Sequence, residues 1–475
     1  MHKSIYFIYG IIFVFCLFNN IFFSLDYDSD GRYKYEEGID INNTISDLKK
    51  ELKKYNVNNK DDLNIYVTTK SKLDMYNDMV KYDKNSWQYI KYNDYMYDVI
   101  YNVNYYTYID KNSDKLREEK DKYNKYVNYF KDNNYKYFID KEKKDIEDKI
   151  KEIENSINDT KDKELINNLN EELTNYKNNL LIINYRINED INYGNNYLNR
   201  ALISYGDSIN KKYNYDKKKL SYDEKLEYNR IINDIYVNKY IVDNKVNINK
   251  ENSLYSGLKN ISLDYELFIV IIILMISVMM VGDEFNKGTI KLLLVKPYKR
   301  NTILVSKIFS GVVVIIMTLL FLIICEFILG GMINSFDSVK MPVVIYDFNI
   351  DKLFTYNIYK YIFIKILVRL PMFIFILLFS ILLSVINGNN IFSFAVGMII
   401  YSFSSVINNL IIYNNIKILK YVFTLNWDFS NYLFGGISNF KYLSLKSSIF
   451  IYVIYVIIIL IMMLINFNKK DIKNI

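Results

Sequence analysis

The chain has 475 residues, of which 51% are hydrophobic and 24% charged, with a formal net charge of +7. The two classes are segregated: nearly all the charge lies between Leu25 and Tyr265, and the runs around it are close to pure Ile, Leu, Phe, Val and Met. A single soluble core would intersperse them and is excluded, and without a compact basic stripe the net charge gives no ground for nucleic-acid binding.

Cys16 and Cys325 both fall in apolar runs, which argues against a disulfide framework. The single histidine, His2, argues by count against a catalytic His or a multi-His metal site. Three prolines, Pro297, Pro342 and Pro371, suit a mostly helical chain.

Crossing about 30 Å of hydrocarbon takes roughly 20 apolar residues in a helix. Ile5 to Phe23 meets that need, with Asn19 and Asn20 as its strongly polar members. A cleaved signal peptide would have a shorter apolar core ending in small residues, so a retained anchor is expected.

From Leu25 to Ser262 no segment is apolar enough to span. The strongest pattern there is a heptad: Ile146, Ile150, Ile153 and Ile157, then Ile166, Leu169, Leu173, Tyr176, Leu180 and Ile183 after a break at Asn158-Asp159-Thr160. Such stripes bury each other, and so short a break predicts an antiparallel helical hairpin. Lys141, Glu142, Lys143 and Lys144 read as its solvated face. The tyrosine-rich stretch Tyr89 to Tyr108 and the region Tyr185 to Tyr240 read as further helix, with Tyr as core and interface.

Further spans are expected at about Leu263 to Val281, Ile308 to Leu329, around Phe373 to Ile386 with a kink at Pro371, Ile391 to Tyr413 and Ile449 to Phe467. Lys287, Lys291, Lys296, Lys299, Arg300 and Lys307 crowd the connection between the second and third. Lys469, Lys470 and Lys473 follow the sixth, and Lys3 precedes the first. An even span count puts all these on one side, which the positive-inside bias makes the cytoplasm. The expectation is an all-α, multi-pass cell-membrane protein with six transmembrane helices and both termini cytoplasmic. Residues 1–24 form the first span and 25–262 a large extracellular, mostly helical coiled-coil domain. Residues 263–475 form a five-helix membrane domain with a cytoplasmic segment at 283–307.

That segment reads Gly282-Asp283-Glu284-Phe285-Asn286-Lys287-Gly288-Thr289, then Ile290 to Val295, then Lys296-Pro297-Tyr298-Lys299-Arg300. Gly288 and Thr289 break the exit from the membrane and cap a new helix, which Pro297 ends. A short helix held between two spans is placed to pass force from a soluble partner into the membrane. Gly282 to Thr289 is glycine-spaced but lacks the Gly-Lys-Ser/Thr ending of a P-loop.

These residues resemble the type-2 permease family of ATP-binding cassette (ABC) transporters. Glu284, Gly288, Thr289, Leu292, Leu293, Pro297 and Arg300 occupy the positions of its acidic residue, Gly-Thr, leucine pair, proline and arginine, and Lys307 matches the lysine opening the next span. Leu382-Leu383-Ser384-Val385-Ile386 before a tight turn and Thr424-Leu425-Asn426-Trp427-Asp428-Phe429-Ser430 before the last span are also similar to it. So is Asn184-Tyr185-Arg186-Ile187-Asn188 leading to Tyr193-Gly194, which matches members with a long first extracellular loop. The resemblance implies a permease that binds a separate ATP-binding subunit through Glu284–Arg300 and pairs as a homodimer. It assigns this chain no cofactor and no catalytic residue. A membrane-anchored adhesin or sensor remains open at this point, as does, more remotely, a membrane enzyme using Asp and Glu.

Charges inside the spans carry one further expectation. Lys365 and Arg369 are four apart and share a helix face. Unpaired charges at that depth are costly, so Glu326 is expected to pair with Arg369 or Lys365, with snorkelling to the headgroups as the rival.

Overall fold

The computed structural model describes residues 2–26, 41–57, 59–216, 220–248, 250, 253–286 and 299–469. These fall into two units: Tyr35–Lys218 with Ile231–Asn247, and Met1–Lys34, Lys219–Arg230 and Ile248–Ile475.

The first unit is polar and helical. It comprises α2 (Ile41–Leu52), α3 (Lys60–Met79), α4 (Trp87–Tyr108), α5 (Ser113–Lys131), α6 (Tyr135–Asp159), α7 (Lys163–Asn188), α8 (Tyr197–Asp216) and most of α9 (Tyr222–Asn244). Side chains cap the helix starts: Ser86 accepts from the Tyr89 N–H, Asn112 from Asp114 and Lys115, and Asp162 from Glu164 and Leu165. The core is aromatic, with Trp87 stacked on Phe130 at 5.0 Å and both buried with Tyr92, Met96 and Phe138. The tyrosine stretch is therefore helix α4, supplying core as its spacing suggested.

The hairpin of α6 and α7 forms where the heptad breaks. Ile150, Ile153 and Ile183 are buried, and no position of the predicted stripe is exposed. Ile183 joins Phe138 and Ile139 in one cluster, and Lys177 meets Glu154 at 2.9 Å, so the helices run antiparallel.

The second unit is apolar and contains α1 (His2–Asp26), α10 (Leu254–Asp264), α11 (Glu266–Asn286), α12 (Arg300–Asn334), α13 (Ile358–Asn387), α14 (Asn390–Asn414) and α15 (Leu445–Lys469). Among the described residues, five helices are long and apolar enough to cross a membrane: α12, α13, α14, α15 and Glu266–Glu284 of α11. The chain is thus a mostly helical, multi-pass membrane protein. Phe7–Phe22 of α1 is a shorter apolar stretch. At 1.5 Å per residue, the 35 residues of α12 span about 52 Å, well beyond the hydrocarbon. The 30 residues of α13 give about 45 Å, with Pro371 inside the helix.

Two features depart from the sequence reading. Strands β1 (Val343–Asp347) and β2 (Lys352–Tyr356) pair antiparallel between α12 and α13, with Val343 opposite Tyr356. The chain is therefore not purely α. Helix α10, read as part of the polar domain, packs in the apolar unit against α12 and α13.

Candidate functional site

The charged side chains on the long helices of the apolar unit gather toward its two ends. At one end the last turns of α11 carry Gly282, Asp283 and Glu284, and α12 begins at Arg300. Lys307, two turns into α12, forms an ion pair with Glu284 and donates to the Met280 carbonyl at 2.6 Å. The Lys307 side chain is 11% exposed and that of Glu284 25%, so water screens this pair less than a surface one. Arg300 donates to the Asn468 carbonyl at 2.9 Å, and the Asn468 amide to Asn301 at 2.7 Å. A guanidinium on a last-turn carbonyl also favours the negative end of α15.

Helices α13 and α14 close the same end. Gly388 stops α13 in the left-handed conformation (φ 66°), and Asn389 caps α14 through the Phe392 N–H. Asn390 then donates to Asp283. A Cβ on Gly282 would lie 1.6 Å from the Asn390 Oδ1, so a side chain there would displace the Asn390 amide. The ends of α11, α13 and α15 and the starts of α12 and α14 thus converge around the two residues that flank the connection 287–298. Of the predicted segment, Glu284 and Arg300 stand there, and Gly288, Thr289, Leu292, Leu293 and Pro297 lie outside the described residues.

At the opposite end the expected pairing of Glu326 with Arg369 or Lys365 is not formed. Glu326, buried on α12, accepts from the Tyr265 hydroxyl at 2.7 Å and from Asn20 of α1 at 3.0 Å. Asn19 donates to the same tyrosine at 3.2 Å. Lys365 donates to the Lys259 carbonyl at 2.8 Å, and Arg369 to the Ser262 carbonyl and to Glu266 at 2.6 Å. The physical reason is α10. It packs against both α12 and α13, and its C-terminal carbonyls take the two cations that the sequence reading assigned to Glu326. Lys365 and Arg369 do share one face, as their spacing required. The residues that reasoning missed are Tyr265, Glu266 and the α10 carbonyls. Glu266 was legible as an acid at a span edge, whereas a backbone acceptor leaves no mark in sequence.

In the polar unit, the Arg186 motif forms a second buried network. Arg186, 4% exposed, donates to the Ile191 and Asn192 carbonyls at 3.2 and 2.9 Å, and its guanidinium lies 4.2 Å from the Tyr193 ring centre. Tyr193 and Tyr95 both donate to Glu142, the former at 2.5 Å. Burial, with the Glu142 charge beside them, pushes both phenols above their ordinary range, and burial lowers the Arg186 guanidinium. Glu142, with 28% of its side chain exposed, thus links the solvated face to this network.

Residues 226–473 match a family described as "Protein of unknown function (DUF2705)", a span of just over half of the chain. The chain belongs to this family. The DUF2705 match begins within α9 and takes in every helix from α10 to α15. Both ends of the apolar unit fall inside it, and α1 and the α6–α7 hairpin fall outside. Neither a curated protein nor a solved structure matches the chain.

Proposed function

We propose that this chain is the permease subunit of a type-2 ABC transporter in the cell membrane, driven by a separate ATP-binding subunit. The observation that carries the reading is the clamp at Glu284 and Arg300. Lys307 on Glu284, and Arg300 on Asn468, fix both flanks of segment 287–298 to the helices α11, α12 and α15. A segment tied at both flanks passes a push on to those helices, whereas a slack loop absorbs it.

In this reading α1 is the sixth span. Its apolar stretch packs on α12, with Tyr9 and Phe321 ring centres 4.7 Å apart and Asn20 bonded to Glu326. Six spans put both termini and the lysine-rich segment in the cytoplasm and the polar unit outside. Two copies pair in the membrane, each binding one ATPase subunit, and the P-loop chemistry belongs to that partner. Leu292 and Leu293 supply the apolar contact. Replacing both with aspartate is expected to abolish co-purification with the ATPase subunit and to uncouple ATP hydrolysis from transport, with membrane insertion unchanged. Normal coupling in that double variant overturns the assignment.

A further inference from the structure

The apolar unit contains a cavity of about 270 Å³ between α11, α13, α14 and the 3-10 turns that follow α14. Glu266, Arg369, Tyr401, Asn408, Trp427 and Asp428 are among its walls. A water occupies about 30 Å³ in the liquid, so the space suits one small organic molecule better than a single bound water. Two other cavities carry less. That between Leu274 and Phe375 holds only about 10 Å³. That beside Asp74 and Asp78 in the polar unit is lined by carboxylates already committed to Lys70, Lys81 and Tyr123.

The charge of the larger cavity is unbalanced. Among the described residues, Arg369 is the only Lys or Arg that lines it, against the two carboxylates of Glu266 and Asp428. Glu266 is fully engaged, with one oxygen on Arg369 and the other on the Tyr401 hydroxyl at 3.0 Å. Asp428 accepts the Ser430 N–H on Oδ1 at 2.9 Å, while its Oδ2 stands 3.5 Å from Arg369, a long contact. Arg369, with 6% of its side chain exposed, has its Nε buried with no hydrogen-bond partner among the described residues. One carboxylate is thus in excess among the described lining residues, and Asp428, with 27% of its side chain exposed, is reachable from solvent. Trp427, 5% exposed, adds an aromatic wall of the kind that attracts cations.

We propose that this cavity binds a small organic molecule bearing a primary ammonium group. Asp428 is the counter-ion, and Trp427 and Tyr401 are the aromatic walls. The inference concerns binding alone and is independent of coupling to an ATPase.

The chain has two tryptophans, so Trp87→Phe leaves Trp427 as the sole indole, a reporter in the cavity wall. The full chain in nanodiscs is titrated with putrescine, with 1,4-butanediol and succinate as the neutral and anionic analogues, and with sodium chloride at matched ionic strength. Putrescine is expected to shift the Trp427 emission saturably, and the other three are not. Asp428→Asn is expected to weaken putrescine about tenfold or more, since each factor of ten is about 1.4 kcal/mol of lost charge pairing. Binding of labelled putrescine to the unaltered protein gives the same reading if the Trp87 replacement fails to fold. Absence of saturable putrescine binding, an equal response to butanediol or salt, or full affinity in a folded Asp428→Asn variant overturns the proposal.

Discussion

Arg186 shows how one residue carries different weight in sequence and in structure. Its motif marked it as notable, but its role, holding two carbonyls and the Tyr193 ring, comes from the turn that follows α7. Removing one member of a buried charged network leaves the others desolvated and unpaired. Arg186→Ala is expected to destabilise the polar unit by about 3 kcal/mol, read as faster hydrogen exchange across α6 to α8 in the full chain. Arg186→Lys should recover little, because an ammonium cannot reproduce the planar fork and stacking. Protection equal to that of the unaltered chain in either variant would contradict this. Glu326 makes the complementary point, with neutral partners where a cation was expected. Glu326→Gln keeps an acceptor for Tyr265 and Asn20, whereas Glu326→Leu strands both. The leucine variant should lose about 2 kcal/mol and the glutamine variant much less, measured by thermal unfolding in detergent. Equal losses would show that the charge itself matters.

Periodicity decided what could be read among the elements. The α6–α7 hairpin was legible to its turn because a seam of residues three and four apart repeats over both helices. The β-hairpin left a signal that went unused: the run Val343-Val344-Ile345-Tyr346 after Pro342, then a turn with Asp351 at φ 57°. Helix α10 was not legible as part of the apolar unit. Its eleven residues mix Ser, Lys, Asn and Asp with Leu and Ile, and only the packing of α12 and α13 gives those apolar positions a partner. Five of the six expected spans coincide with the five long apolar helices, and those on α12 and α13 were drawn too short, because a window of hydrocarbon length cannot see their polar extensions. At this scale the Glu284–Lys307 pair joins α11 to α12. Either single charge reversal is expected to cost about 1–3 kcal/mol in thermal unfolding, and the double swap Glu284→Lys with Lys307→Glu to recover part of it. Additive losses in that cycle would mean the two helix ends are not tied through this contact.

For the whole molecule, segregation of charge set the division into a polar and an apolar unit, although α10 moved the boundary. The proposed ATPase partner and the proposed orientation depend on groups outside the chain, and both are tested at the connection between Glu284 and Arg300. The most direct measurement is a photo-crosslinking amino acid at Leu292, activated in intact cells. An adduct with a nucleotide-binding ATPase subunit, together with Lys291→Cys shielded from an impermeant thiol reagent added outside, is what the account predicts. Labelling of Lys291→Cys from outside, or crosslinking at Leu292 that yields no such ATPase, would contradict it.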